Sequence, residues 1–264
     1  MRLGPVFERV LVLFKREFKI SMSYRMTATL TVVNAVAGLL SYGFLGNAAV
    51  VSTTTQTYGM SLAAFLVSGV AFGLIVNNGL AMFYQHGNQS QIEEVLVTPV
   101  NFREFLVLSS FFEIFTALAG SILLFGLSIV LFGLTYSYHI PLLVLVISLG
   151  ILSSIGLGFI GLGFRLVYKQ TYVISWVFYS LSGMIGNMLV PVQILPGLLQ
   201  VASFAMPQYY FFTGIRLALG ASVGSPVELL AIFAIYAMIL LIIGLVALEY
   251  GLRSVRRSGT YKWT

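Results

Sequence analysis

Long, uninterrupted apolar runs dominate the chain. A helix needs about 20 mostly apolar residues to cross a hydrocarbon core roughly 30 Å thick. Six runs reach this length, at residues 26–45, 61–83, 105–132, 141–164, 171–190 and 229–248. Because the runs are continuous and do not alternate, they favour helices over the strands of a membrane barrel. The pattern predicts an all-α integral membrane protein with six transmembrane helices.

The segment before the first run, residues 1–25, is amphipathic. Its apolar residues recur at helical spacing, at Val6, Phe7, Val10, Leu11, Phe14 and Phe18. The other side of the helix carries Glu8, Arg9, Lys15, Arg16 and Lys19. This pattern predicts a helix in the lipid headgroup plane, although a plain basic anchor is the simpler alternative. We treat 1–264 as a single permease domain, with an interfacial helix at 1–25, a six-helix membrane domain at 26–249 and a basic cytoplasmic tail at 250–264.

Composition excludes a soluble enzyme. Only 8% of the 264 residues are charged and 59% are hydrophobic, whereas soluble domains carry roughly 25% charged residues. The chain has no Cys and two His. Because Cys and His are the usual ligands of zinc, this composition does not favour a metal site.

The basic residues predict the orientation in the membrane. Thirteen of the 14 Lys and Arg residues fall in segments that six crossings place on one side, and Arg216 alone falls on the other. Basic loops face the cytoplasm. The chain is therefore predicted to be a multi-pass protein of the plasma membrane with both termini in the cytoplasm. The same asymmetry explains the net charge without nucleic-acid binding.

The loop after the second run predicts a short isolated helix. Ser90 and Glu93 form a capping-box pattern, so that a helix can start at Gln91. Pro99 disfavours helical geometry at Thr98, so that this helix ends near Val97. About two turns are too short to be stable alone. The helix must pack against the rest of the chain or against a partner.

The string SQIEEVLVTPV in this loop resembles the GTLEQLLVTPV-type element of membrane subunits of type-two ABC exporters, with Ser90 in place of the usual Gly. In that family the element is the coupling helix that contacts a separate ATPase. The resemblance therefore implies coupling residues at Gln91, Ile92, Glu93, Glu94, Leu96, Val97, Thr98 and Pro99.

A second resemblance lies between the fifth and sixth runs, where the chain is similar to the family's SG…P…LPGWLQ…P…Y…R element. The matching residues that we assign to an external gate are Pro191, Pro196, Gly197, Pro207, Tyr209 and Arg216. Independently of the family, Pro196 and Pro207 can each open a short helix. The second helix would rise roughly 20 Å, less than a membrane thickness. We expect a pair of re-entrant helices that enter from outside and are buried against protein.

Several other signals have two interpretations. Arg216 either extends to the outer interface or joins Tyr209 and Tyr210 in an exit gate. Glu113, well inside the third run, is either a functional carboxylate or one that is hydrogen-bonded to a neighbouring helix. Residues 156–161 match G-x-G-x-x-G, but inside a membrane run this favours close helix packing, as do Gly69 and Gly73.

The family resemblance implies the transmembrane subunit of an ATP-driven exporter. The chain has no P-loop motif, so it is not expected to be an enzyme or to bind a cofactor. ATP and Mg would be bound by a partner ATPase, in two copies, and a second permease copy or a related chain would complete the path. The cargo would be a drug, a lipid, another amphipathic molecule or a polysaccharide. The main alternative is a stand-alone secondary transporter; an intramembrane enzyme and a membrane scaffold are weaker ones.

Overall fold

A computed structural model describes residues 4–48, 57–85, 102–168 and 172–258, which are helical with no strand in these ranges. The described helices are α1 (Gly4–Ser23), α2 (Arg25–Ala48), α3 (Leu62–Gln85), α4 (Phe102–Phe132), α5 (Ile140–Tyr168), α6 (Tyr172–Met184), α7 (Gly197–Phe204), α8 (Pro207–Ala218) and α9 (Pro226–Ser258). A single 3-10 turn, Val192–Ile194, precedes α7. The all-α prediction is therefore confirmed for this part of the chain.

Four of these helices are long and apolar enough to cross a membrane. Their candidate spans are Thr29–Ala48, Phe111–Phe132, Ile140–Tyr168 and Pro226–Val255. In α3 the apolar part, Leu62–Asn77, is shorter. The apolar helices are those of a multi-pass membrane protein. They cover most of the predicted first, third, fourth and sixth runs.

The predicted fifth run, 171–190, is not one continuous helix. Helix α6 ends at Met184, and the chain then turns through residues 185–190. Asn187 has a φ of 60°, in the left-handed region that a helix does not use. Our prediction of an uninterrupted helix was wrong here because hydropathy reports only that these residues are apolar.

The short helix α8 lies at the centre of the fold. Within α8 only Tyr209 is not buried. The helix packs against α3, α5, α7 and α9, and the rings of Phe211 and Phe212 are buried in the main apolar core. Pro207 stands at the first turn of α8, as predicted. A helix surrounded by protein on all sides needs no polar face.

Helices α5 and α9 form the most extensive pair in the fold, and glycines bring their backbones together. A Cβ on Gly156 would lie 2.6 Å from the carbonyl carbon of Leu240, and one on Gly163 would lie 2.5 Å from the carbonyl oxygen of Ala247. On the facing helix, a Cβ on Gly244 would meet the carbonyl oxygen of Gly156. The packing interpretation of the glycine motif is thus confirmed at Gly156.

Helix α1 packs on α4 through aromatic side chains. The ring centroid of Phe14 lies 5.2 Å from that of Phe112 and 5.4 Å from that of Phe115, in edge-on geometry. The predicted amino-terminal helix is therefore present, and part of its apolar face is covered by protein.

Candidate functional site

The most unusual side chain in the structure is Arg216, in the last turn of α8. It is 1% exposed. Its Nη2 donates hydrogen bonds to the backbone carbonyls of Met188, at 2.7 Å, and of Phe65, at 3.1 Å. Its Nη1 donates to the carbonyl of Asn187. Of the two interpretations of Arg216, extension to an interface is excluded by this burial, because these carbonyls hold the guanidinium inside the protein.

The guanidinium of Arg216 also lies on an aromatic face. Its Cζ is 3.4 Å from the ring centroid of Phe65 and 6.0 Å from that of Tyr58. An arginine side chain stays protonated in proteins, and every acceptor that the described residues offer to it is a backbone carbonyl. The positive charge is thus stabilised by carbonyl dipoles and ring electrons, without a carboxylate from this part of the chain.

Asn187, the third residue of the 185–190 turn, is hydrogen-bonded to three other residues. Its Oδ1 accepts a hydrogen bond from the Tyr58 hydroxyl at 3.0 Å, and its Nδ2 donates to Thr213 Oγ1 at 2.9 Å. Its carbonyl is one of the acceptors for Arg216. The Tyr58 oxygen also lies 3.1 Å from Gln193 Oε1. These bonds fix both the side chain and the left-handed backbone of Asn187.

Two glycines on α3 allow the 185–190 turn to pack directly against that helix. A Cβ on Gly69 would meet the carbonyl oxygen of Met188, and one on Gly73 would meet the end of the Met188 side chain. The prediction that Gly69 and Gly73 serve close packing is therefore confirmed. The element they admit is a turn of irregular backbone, which needs its carbonyls satisfied when it is buried.

The other predicted gate residues lie between the 185–190 turn and the first turn of α8. Pro191 and Pro207 are buried, whereas Pro196 and Gly197 are exposed at the start of α7. Tyr209 is half-buried, and its ring lies edge-on at 5.1 Å to each of Phe204 and Tyr210. The structure brings Tyr209 near Tyr58 and Thr213 of the buried cluster, but not Pro196 or Gly197.

Glu113 lies elsewhere, where α1 packs on α4. It is partly buried and interacts electrostatically with Glu17 of α1. Burial raises the pKa of the Glu17 carboxyl, and the neighbouring Arg16 guanidinium, 3.8 Å away, acts in the opposite direction. The structure thus places a second carboxylate, Glu17, near Glu113.

The predicted coupling residues, from Gln91 to Pro99, lie outside the described residues. Within the described ranges, no group of three His, Cys, Asp or Glu side chains is placed to hold a metal ion.

Sequence reasoning missed four members of the Arg216 cluster, namely Tyr58, Phe65, Asn187 and Thr213. One local signal was available for Asn187. It follows Gly186, and a Gly-Asn pair favours a turn over a continued helix. Nothing in the sequence around Tyr58 or Phe65 sets them apart from other aromatic residues of the apolar runs.

Comparison with known proteins does not name a class for the chain: no family model matches it, and no curated protein matches it. The part of the chain that the structure describes defines the coarser class, an all-helical protein with four apolar helices of membrane-spanning length.

Proposed function

We propose that this chain is the membrane-spanning subunit of an ATP-driven exporter of the type-two ABC class. The observation that best supports the proposal is α8, a 12-residue helix buried within the fold between the fifth and sixth apolar runs. A helix of this length is too short to cross a membrane. Its burial against protein is what the re-entrant interpretation requires of the Pro207 helix. The Pro196 helix, α7, departs from the expected burial, since its buried residue is Ser203 and Leu198 is 84% exposed.

In this proposal α2, α3, α4, α5 and α9 are five of the six spans. The remaining crossing is made by α6 together with the turn at residues 185–190, because the 13 residues of α6 alone are too short. Helices α7 and α8 enter from outside, and both termini are cytoplasmic in the plasma membrane. The gate residues from Pro191 to Arg216 then lie at the outer end of the path. The separation of Glu113 from the Arg216 cluster supports an exporter over a secondary transporter, since secondary transporters place ionisable groups together at the substrate site.

The energy source is a separate P-loop ATPase that binds ATP and Mg. Two copies of it would close on each other and push on the helix at residues 91–97 of each permease chain. The permease would be a dimer of this chain or of this chain and a related one. Such a partner shifts the population between inward-open and outward-open states by binding one of them better. The cargo is an amphipathic molecule such as a drug or lipid, or a polysaccharide.

The decisive experiment replaces Leu96 with Asp. A charge placed in a packed, desolvated apolar contact costs several kcal/mol. We expect Leu96→Asp to abolish co-purification of the ATPase subunit and ATP-dependent export, while the melting temperature of the isolated permease stays unchanged. Val227→Asp is the control, because Val227 is 77% exposed in the first turn of α9, before the sixth apolar run and on the proposed external side, where a negative charge at a helix start is tolerated.

Two outcomes would contradict the proposal. If Leu96→Asp destabilises the permease and the remaining folded protein still binds the ATPase, the 91–97 helix packs on its own chain. If transport continues without any ATPase and follows a proton or sodium gradient, the chain is a secondary transporter.

A further inference from the structure

The Arg216 side chain joins three separate parts of the chain. We call Arg216 and its three carbonyl acceptors, on Phe65, Asn187 and Met188, the arginine clasp. One acceptor belongs to α3, two belong to the 185–190 turn, and the donor belongs to α8. We propose that this clasp keeps the outer end of the transport path closed by holding the turn, and with it α6, against α3. The inference rests on the proposed function for its meaning in transport, and Arg216 acts in it as a positioning residue.

Helix α6 is linked to the clasp through the turn that follows it. Its described residues contact α3, and the side chains of Phe178 and Tyr179 pack against the main apolar core. The turn itself is joined to α3 and α8 through Arg216, which bonds to the carbonyls of Phe65 and Met188.

The conformation of the turn depends on the clasp. Asn187 has a φ of 60°, a backbone region that Asn adopts more readily than other residues with a side chain but still less readily than Gly. Such a conformation persists where surrounding contacts determine it. Here these contacts are the hydrogen bonds of Asn187 to Tyr58, Thr213 and Arg216. When the clasp opens, the turn loses the bonds from Arg216 to the carbonyls of Asn187 and Met188, and the side chain of Asn187 still holds it, through Tyr58 and Thr213.

The chemistry of the clasp favours a reversible contact. When an aqueous path opens, water can replace the guanidinium at the carbonyls and the carbonyls at the guanidinium. The donor and the acceptors then all stay hydrogen-bonded. If an apolar contact of the same size opened, it would expose apolar surface to water, which is unfavourable. A buried cation held by backbone carbonyls can therefore separate into an aqueous path with little loss of hydrogen bonding.

The test uses thiol accessibility, since the chain contains no Cys. Ser68→Cys reports on the clasp, because Ser68 is fully buried in α3 and its hydroxyl donates to the same Phe65 carbonyl that accepts from Arg216. Ser121→Cys is the control, because Ser121 is 1% exposed in α4 and bonds to no part of the clasp. Each is labelled with an impermeant thiol reagent, on the full chain in oriented vesicles without any ATPase.

In the Arg216→Gln background we expect the labelling rate of Ser68→Cys from the side opposite the termini to rise by about tenfold or more, because hydrogen bonds to a charged group are lost. The rate for Ser121→Cys should not change. Tyr58→Phe removes only the hydroxyl that bonds to Asn187, so a smaller rise at Ser68→Cys is expected. Arg216→Lys keeps the charge without the planar fork and should fall between wild type and Arg216→Gln.

Unchanged labelling of Ser68→Cys in Arg216→Gln would overturn the clasp. Equal rises at Ser68→Cys and Ser121→Cys, with a lower melting temperature, would show that Arg216 only supports the fold and would overturn it as well. If Arg216→Gln is not recovered from membranes, Tyr58→Phe decides by the same two rates. Because the assay contains no ATPase, its result is independent of the Leu96→Asp experiment, and the two proposals can fail separately.

Discussion

At the scale of single residues, Gly69 controls how closely the 185–190 turn can approach α3. The position faces the carbonyl oxygen of Met188, and the Arg216 Nη2 lies 3.3 Å from where a Cβ would stand. A methyl group there has no free space, since its neighbour is backbone rather than the flexible end of a side chain. The clasp thus requires the small size of glycine at this position.

We expect Gly69→Ala to destabilise the protein by about 1–3 kcal/mol, the usual cost of an extra carbon in a packed site. Thermal unfolding in detergent measures it. Gly126→Ala is the control, because a Cβ on Gly126 in α4 would have no neighbour within 4 Å. That change should be neutral or stabilising, since Ala favours a helix over Gly. Equal melting temperatures for the two variants would show that the turn can move away from α3.

The sequence predicted the packing role of Gly69 and Gly73 but not the position of Arg216. Small residues spaced four apart in an apolar run have one common use, which is close approach. A hydropathy scale assigns Arg216 the same cost wherever it stands. The carbonyls that offset this cost belong to residues distant in the chain, at Phe65 and Met188. Burial of the arginine is therefore a property of the tertiary structure.

At the scale of helices, the residues at which α8 and α9 begin could be predicted from the sequence, but the residue at which α6 ends could not. The sequence Ser225-Pro226-Val227-Glu228 is itself a helix-start pattern, with Ser three residues before Glu. Helix α9 begins at Pro226, and the Glu228 N–H donates to Ser225 Oγ at 3.4 Å. Pro207 likewise opens α8. The end of α6 at Met184 is set by the contacts of Asn187 and Met188 with α3 and α8, which a scan of local sequence does not contain.

The packing of α1 on α4 should depend on pH through Glu17. Because burial raises the pKa of this carboxyl, the folded state holds the proton more tightly than the unfolded state. This contribution to stability is fully present below the ordinary carboxyl pKa and is lost as pH rises through the raised value. We therefore expect Glu17→Gln to have a higher melting temperature than wild type at pH 7, and the gain to vanish near pH 4.

The matched control for Glu17→Gln is Glu228→Gln. Glu228 is exposed in the first turn of α9, where a negative charge is favourable, so its replacement should bring no gain at pH 7. A Glu17→Gln variant with the stability of wild type at both pH values would contradict the burial of Glu17 against α4.

At the scale of the whole molecule, the proposed topology makes a direct prediction. Reporter fusions should alternate between outside and inside, beginning outside, at Thr54, Ser90, Ser137, Lys169, Ser222 and Thr264. The reason is the distribution of the 14 basic residues, of which Arg216 alone falls on the outer side. Cysteines replacing Gln200 and Ser222 should both react with an impermeant reagent from outside. Any odd number of crossings, or labelling of Ser222→Cys only from the cytoplasm, would contradict the six-span arrangement.

The burial of α8 also sets an order for the biogenesis of the protein. Phe65 and Met188, which supply carbonyls to Arg216, are synthesised before it, but α9, which packs against α8, is synthesised afterwards. Until α9 is synthesised, the rings of Tyr210 and Phe211 lack their partners on that helix, Tyr236 and Phe233. Arg216 can therefore bond to its carbonyls first, while the apolar packing of α8 is completed only with the last long helix. The final packing of α8 is therefore reached later than the synthesis of α9, although α9 follows α8 in the sequence.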